Sequence, residues 1–381
     1  MRKKNKKVLV ALSGGVDSAV AAALLLQKGY EVVGAFMIQY ENSSNVRSQS
    51  LERESCWHND YREALRVAAH LRITLFQFDF TKDYKKHVLD YLYREYRANR
   101  TPNPDVLCNT FIKFGVWLEK AKDLDFDYLA TGHYARNMRT SKMYESKKSE
   151  NYFSTSNFQN ASQFVCYHLM MAKDKIKDQT YFLHQLNQEQ LSRVLFPIGD
   201  YTKPQVRRLA KRFGLPNATR EESMGICFVG EVPMKDFLKN QIKTKVGDIV
   251  LSSGEIIGKH EGLELYTIGQ RHIGVQGSRP LYVVDKYLKT NELVVGFEAD
   301  PLLYKKEITI DDVRWVSGQE PKFPLTSEVR LRHRQALQKC RIMNNESGIM
   351  VEFGKPQRAV TPGQFAVLYK NGECLGGGVI Q

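Results

Sequence analysis

The sequence predicts an α/β protein: an N-terminal doubly wound parallel sheet, then a small central β-rich domain, then a C-terminal antiparallel β-barrel. Three observations carry this expectation. The apolar run Val8-Leu9-Val10-Ala11-Leu12 passes through Ser13-Gly14-Gly15-Val16-Asp17-Ser18 into the Ala/Leu-rich stretch Ala19–Leu26, a strand, a glycine loop and a helix. The first half of the chain goes on alternating strand and helix patterns, which implies a parallel sheet with ligands outside the carboxyl ends of its strands. From about Thr219 the texture changes to short β-like runs separated by glycines. The expected domains are residues 1–218, 219–280 and 281–381.

The opening strand is continuously apolar because a parallel strand covered on both faces needs no polar alternation. Its two glycines allow a sharp turn and bring backbone N–H groups close to a ligand. Asp17 or Ser18 is able to cap the helix that follows. Together these parts form an anion cradle. It is not a Walker A loop, since it has no lysine and hydroxyls flank the glycines on both sides. The pattern S-G-G-x-D-S resembles the PP-loop of ATP pyrophosphatases, which implies an adenine nucleotide alpha hydrolase-like domain. Such enzymes grip departing pyrophosphate and leave AMP on the substrate. An ordinary strand–turn–helix is the alternative reading of these six residues.

Further strands are read at Glu31–Met37, Ile73–Phe78 and Phe126–Thr131, and helices at Asp60–Leu71 and Asp83–Asn99. The stretch 137–160 is rich in Ser, Asn and Lys and reads as a surface excursion or flexible insertion. Helical signals return over Gln188–Phe213, with a turn at Pro197-Ile198-Gly199. Val246–Val250 and Leu265–Gly269 fall in the central domain. A hairpin around Thr290-Asn291, joining Leu281–Asp285 to Glu292–Gly296, opens the all-β region. Runs at Ile308–Ile310, Val329–Arg332, Ile349–Phe353 and Phe365–Tyr369 suit a small barrel.

The formal net charge of +14 points to a polyanionic partner, nucleic acid before membrane. The six cysteines, Cys56, Cys108, Cys166, Cys227, Cys340 and Cys374, are scattered, with no C-x-x-C pair and no zinc-ligand spacing. Reduced thiols in a cytosol are therefore expected. Met1-Arg2-Lys3-Lys4 leads straight toward the first strand without an apolar signal core, and no run approaches a membrane span. A cytoplasmic protein is the expectation.

Chemistry gathers in two further stretches. In Thr101-Pro102-Asn103-Pro104-Asp105-Val106-Leu107-Cys108-Asn109 the prolines stiffen the approach to a helix expected to begin near Asn109 or Thr110. Cys108 at that helix N-terminus would have its thiolate favoured by the dipole. Cys227, inside Gly225-Ile226-Cys227-Phe228, reads by itself as a small core residue.

In combination these motifs resemble the bacterial-type tRNA-specific 2-thiouridylase family. The same order continues through Ala130-Thr131-Gly132-His133-Tyr134-Ala135, Lys177-Asp178-Gln179-Thr180-Tyr181-Phe182-Leu183, Tyr266-Thr267-Ile268-Gly269-Gln270-Arg271, Thr361-Pro362-Gly363-Gln364 and Leu375-Gly376-Gly377-Gly378. The resemblance implies ATP, with Mg²⁺ on its phosphates, bound by Ala11, Leu12, Ser13, Gly14, Gly15, Val16, Asp17, Ser18, Met37 and Gly132, and no metal site of the protein's own. It implies adenylation of the uridine O2 at the wobble position, with loss of pyrophosphate. Cys227 would then carry sulfur as a persulfide and Cys108 would act as nucleophile, leaving a transient Cys108–Cys227 disulfide. Asp105 is a candidate acid or base, and helix capping is equally compatible with its position. Asn103, Pro104 and Asp105 would meet the target base, flipped out of the anticodon stem-loop. His133, Lys177, Asp178, Gln179, Arg332, His333 and Gln364 would touch tRNA. A cysteine desulfurase or a relay protein would supply sulfur, and no membrane is involved.

Ser223-Met224-Gly225 stands where the family usually has Ser-Thr-Gly, His333 where tyrosine is common, and the insertion after Asn137 is longer than usual. Two rival readings remain. A PP-loop ligase or amidating enzyme acting on a small molecule leaves both cysteines and the basic barrel without a task. A non-catalytic ATP- and RNA-binding module makes the thiols dispensable.

Overall fold

The computed structural model describes residues 5–39, 57–142, 164–221, 234–275, 279–346 and 348–381. Cys56, Cys227 and the motif around Cys227 lie outside them.

The first domain runs β1 (Lys7–Ala11), α1 (Val16–Gln27), β2 (Glu31–Ile38), α2 (Trp57–Leu71), β3 (Leu75–Asp79), α3 (Thr81–Tyr84), α4 (Asp90–Arg97), α5 (Pro104–Leu107), α6 (Trp117–Asp123) and β4 (Tyr128–Ala130). It continues through β5 (Ala135–Lys142), β6 (Phe164–Met171), α7 (Gln188–Ser192), β7 (Val194–Leu195) and α8 (Lys203–Arg212). The sheet has the order β3-β2-β1-β4-β7, and every pairing is parallel. Alternation along β1 sends Val8 and Val10 into one apolar core and Leu9 into the other, so both faces are covered. Helix α1 is buried over most of its circumference, from Ala19 to Leu25. Its run of alanines and leucines answers that environment rather than an amphipathic one.

Two expectations need correction here. The helical reading of Gln188–Phe213 breaks into α7 and α8, and between them Val194 and Leu195 add a fifth strand beside Leu129 and Ala130. Two residues are too short to show a period. The excursion read from Asn137 begins as strand: β5 and β6 pair antiparallel from Ala135↔Met171 to Lys142↔Phe164. The polar composition over residues 137–141 reflects side chains that are half-buried or exposed, and residues 143–160 of the expected insertion lie outside the described residues.

The central domain holds α9 (Met234–Lys239), β8 (Gly247–Leu251), β9 (Ile256–His260), β10 (Tyr282–Tyr287) and β11 (Glu292–Gly296), in the sheet order β10-β11-β8-β9. The β10–β11 hairpin therefore completes this sheet, with Leu293↔Ile249 and Val294↔Val250 in register, instead of opening the C-terminal barrel as the sequence suggests. A hairpin's own pattern does not reveal which sheet it joins. The barrel follows with β12 (Tyr304–Trp315), β13 (Leu325–Arg330), β14 (Gln338–Asn345), β15 (Gly348–Arg358), β16 (Phe365–Lys370) and β17 (Glu373–Ile380). The order β12-β15-β14-β13-β16-β17 closes by pairing β12 with β17. β6 lies against β17 through Met170↔Glu373, so the first domain's hairpin extends the barrel's sheet. Among the described residues no helix is long and apolar enough to cross a membrane.

Candidate active site

The loop after β1 is held from within. Ser18 Oγ accepts from the Ser13 N–H at 3.2 Å and donates to the Gly15 carbonyl at 3.0 Å. Gly15 is the N-cap of α1 and no side chain caps the helix, so neither Asp17 nor Ser18 takes the capping role expected of it. The first-turn N–H groups stay available to an anion. Asp17 turns instead to Tyr134, whose hydroxyl donates at 3.0 Å, and to Lys203, whose Nζ lies 2.8 Å from both carboxylate oxygens. Tyr134 is in turn anchored by Gln179, which accepts from its backbone N–H at 2.9 Å.

Gly132, beyond the end of β4, lies directly against the start of α1. A Cβ there would sit 2.6 Å from the Ser18 nitrogen and 2.8 Å from the Asp17 carbonyl carbon. Backbone cannot yield as a side-chain tip would. Gly132→Ala is therefore expected to displace the loop and weaken binding of the nucleotide expected there by about 10- to 100-fold, the equivalent of the 1–3 kcal/mol that overpacking costs. Titration with Mg-ATP checks this, and an unchanged affinity would refute it.

Cys108 approaches the same end of the sheet from another element. Pro104 occupies the first position of α5, and the Asn103 side chain caps it by accepting from the Val106 N–H at 3.4 Å. The helix thus starts earlier than expected, Cys108 is already one turn inside it, and capping belongs to Asn103 rather than Asp105. The dipole's help to a thiolate fades over that turn. From Cys108 to Val116 the backbone widens into a π-helical stretch. Two side chains favour this by donating to carbonyls four residues back: Asn109 Nδ2 to Asp105 O and Thr110 Oγ1 to Val106 O, both at 2.9 Å. Cys108 is buried, and its Sγ lies 3.9 Å from Oε1 of Gln39, the residue just past β2. Burial raises the Asp105 carboxyl above its ordinary range, against the opposing pull of Lys113. A carboxyl so shifted holds a proton more readily than an exposed one.

Three parts of the chain meet at Thr101. Its N–H donates to Pro362 O at 2.9 Å, and its hydroxyl lies 3.2 Å from that of Thr267 in the central domain. From the barrel, Gln364 Nε2 donates to Thr101 O at 2.8 Å and to Pro102 O at 3.2 Å, while Asn103 Nδ2 reaches Gln364 Oε1 at 3.4 Å. Gln364 therefore fixes the loop ahead of Cys108. Its replacement by alanine removes three bonds worth about 1 kcal/mol each. The expected result is a fall in turnover of about tenfold with the melting temperature little changed. A rate within twofold of the parent would rule out this positioning role.

The remaining predicted residues divide by burial. His133 is enclosed between Phe114 and Phe196, bonds Thr131 Oγ1 through Nδ1 at 2.8 Å, and is held neutral by burial well below its ordinary pKa. Asp178 accepts from Ala172 N–H, Thr180 Oγ1 and Arg330 Nη1 at 2.9, 2.8 and 3.0 Å. Both are buried and bonded inside the protein, so each at least holds the local structure. Arg332 is exposed yet spends Nη2 on Ile268 O, Ala359 O and Thr361 Oγ1, bridging the central domain to the barrel. His333 packs on Phe182 with ring centres 4.5 Å apart, and burial with nearby cations lowers its pKa to about 4. Lys177 is half-buried on the adjoining loop. Met37 lies on β2, short of Gln39. Sequence reading missed Gln39, Lys203, Asn217 and Arg220, and held Tyr134 only as part of the Ala130–Ala135 motif. Each acts across a long stretch of chain.

Residues 6–231 match the family model described as tRNA methyl transferase HUP domain, residues 235–297 the tRNA methyl transferase PRC-barrel domain, and residues 305–380 the aminomethyltransferase beta-barrel domain. The chain is 43% identical over 386 residues to the tRNA-specific 2-thiouridylase MnmA of Coxiella burnetii (strain RSA 493 / Nine Mile phase I), covering 99% of this chain and 98% of that one. It is 41% identical over 392 residues to the protein so named from Legionella pneumophila (strain Lens), covering 98% of each. The counterpart from Cupriavidus metallidurans is 41% identical over 384 residues, covering 99% of each. With the loop, the buried cysteine and the three-domain junction held in one chain that aligns from end to end with these relatives, the protein belongs to the tRNA-specific 2-thiouridylase family.

Proposed function

We propose that the protein is a tRNA-uridine 2-sulfurtransferase that uses ATP to convert the wobble uridine of tRNA to 2-thiouridine. The carrying observation is that the Ser13–Ser18 loop follows β1 while buried Cys108 lies against Gln39, just past the adjacent parallel strand β2. A nucleotide on the loop and a base beside Cys108 would share one crevice. The chain's charge of +14 supports a polyanionic substrate.

In this reading the loop's N–H groups and α1's N-terminus hold the ATP phosphates, and Mg²⁺ accompanies them on oxygen ligands. The uridine O2 attacks the α-phosphorus, pyrophosphate leaves, and a poor leaving oxygen becomes a good one. The terminal sulfur of a Cys227 persulfide then bonds to C2 of the base. Cys108 thiolate attacks the Cys227 sulfur, breaking the S–S bond and forming the Cys108–Cys227 disulfide, as AMP departs and C2=S remains. The two cysteines are thereby oxidised as the transferred sulfur is reduced, and an external thiol must reset them. Asp105, with its raised pKa, is suited to hold a proton beside Cys108. Asn103 to Asp105 would face the base, while Lys177, Gln179, Arg332, His333 and Gln364 would line the path of the RNA. The sulfur donor is proposed as a cysteine desulfurase or a relay protein.

The test is incubation with unmodified tRNA, Mg-ATP and a persulfide donor, followed by nucleoside mass spectrometry. 2-Thiouridine that depends on ATP is the expected result. ATP turnover that responds to a small amine or acid and not to tRNA would overturn it in favour of a ligase.

A further inference from the structure

We propose that Asn217 and Arg220 are positioning residues for the nucleotide loop, pinning the Gly14–Gly15 peptide so that its N–H faces the phosphates. This rests on the reading that Ser13–Ser18 binds ATP. The Gly14 carbonyl accepts two hydrogen bonds from far along the chain, from Asn217 Nδ2 at 2.8 Å and Arg220 Nη1 at 3.1 Å. In a trans peptide the C=O and the following N–H point to opposite sides. Holding the carbonyl outward therefore directs the Gly15 N–H inward, toward Ser13 Oγ at 3.4 Å, on the side where the two serine hydroxyls meet.

Such a pin is needed because Gly14 has φ +77° and no side chain to resist rotation. Turned over, the same peptide would present a carbonyl oxygen to an incoming phosphate and repel it. The pins are themselves stiff. Asn217 is 2% exposed, and its Oδ1 has no hydrogen-bond partner among the described residues. An acceptor-only carbonyl partner thus fixes which end of the amide faces Gly14. Arg220 is paired with Asp60, whose own carbonyl lies 2.3 Å from where a Gly14 Cβ would be. Arg207, on α8, closes the turn by donating to Ala218 O and Arg220 O at 3.1 and 2.5 Å.

The experiment is calorimetric titration of the full chain with Mg-ATP and, separately, with inorganic pyrophosphate. Asn217→Ser removes the Nδ2 donor and shortens the reach without adding a charge. Arg220→Lys keeps the charge toward Asp60 and gives up the forked donor. Each variant is expected to weaken both probes about tenfold or more, with tRNA affinity and the nucleotide-free melting temperature close to those of the parent. Folded variants that bind ATP and pyrophosphate within about twofold of the parent would overturn the pinning role. So would a parallel loss of tRNA affinity and melting temperature, which signals general loosening. A parent chain that binds neither probe would instead overturn the ATP-loop reading on which the pin depends.

Discussion

Cys108→Ser is expected to lower 2-thiouridine formation by about 10³-fold or more while leaving tRNA-dependent pyrophosphate release in place. Serine fits the buried site beside Gln39, where Cys108 is 2% exposed. A hydroxyl, however, cannot cleave a persulfide or enter a disulfide. In the proposed mechanism adenylation uses the Ser13–Ser18 loop and needs no thiol, so the two half-reactions should separate cleanly. Cys227→Ser is expected to show the same split, since without that sulfur there is nothing to transfer. Nucleoside mass spectrometry reads the product, and a coupled pyrophosphate assay reads the first step. Either variant retaining more than about a tenth of the parent's thiolation rate would refute the two-cysteine route.

The second large effect concerns stability. The Asp178 side chain is 0% exposed and that of Arg330 6%, and they pair at 3.0 Å between the loop after β6 and strand β13. Arg330 also stacks 5.4 Å from the ring centre of Tyr369, and its Nε has no hydrogen-bond partner among the described residues. Asp178→Asn keeps the shape and strands the guanidinium charge. Breaking a buried pair from one side costs about 3–5 kcal/mol, most of it the burial of the orphaned charge. Denaturant unfolding should show that loss, and adding Arg330→Met should recover part of it, because the two residues couple. An Asp178→Asn chain of parental stability that has lost tRNA affinity would instead return Asp178 to the RNA interface.

The parallel sheet was legible because Val8–Leu12 and its neighbours obey burial rules that act within a few residues. So was the loop, whose glycines and hydroxyls are adjacent. Cys108 was found as a motif, but its place in the helix was misjudged. Pro104 is tolerated at the first helical position, where its missing N–H costs nothing. Partners such as Lys203 for Asp17, or Asn217 for Gly14, had no signal at all. Their pairing depends on chain reversal across nearly two hundred positions, and a lone lysine or asparagine looks the same whether it anchors a loop or faces water. The burial of His133 and Asp178 was no more legible, because a polar residue inside a motif reads the same whether it faces solvent or the core.

The β5–β6 hairpin carries a consequence for anyone who would take the chain apart. Because β6 runs beside β17, the modules are stitched together as well as stacked. A fragment ending near residue 218 would keep the nucleotide loop and Cys108 yet bare the edge of β6, an open template for aggregation. A barrel expressed alone would lose the partner that flanks β17. Chimeras between relatives therefore need to exchange residues 135–171 together with the barrel, treating a hairpin encoded in the first half as property of the last.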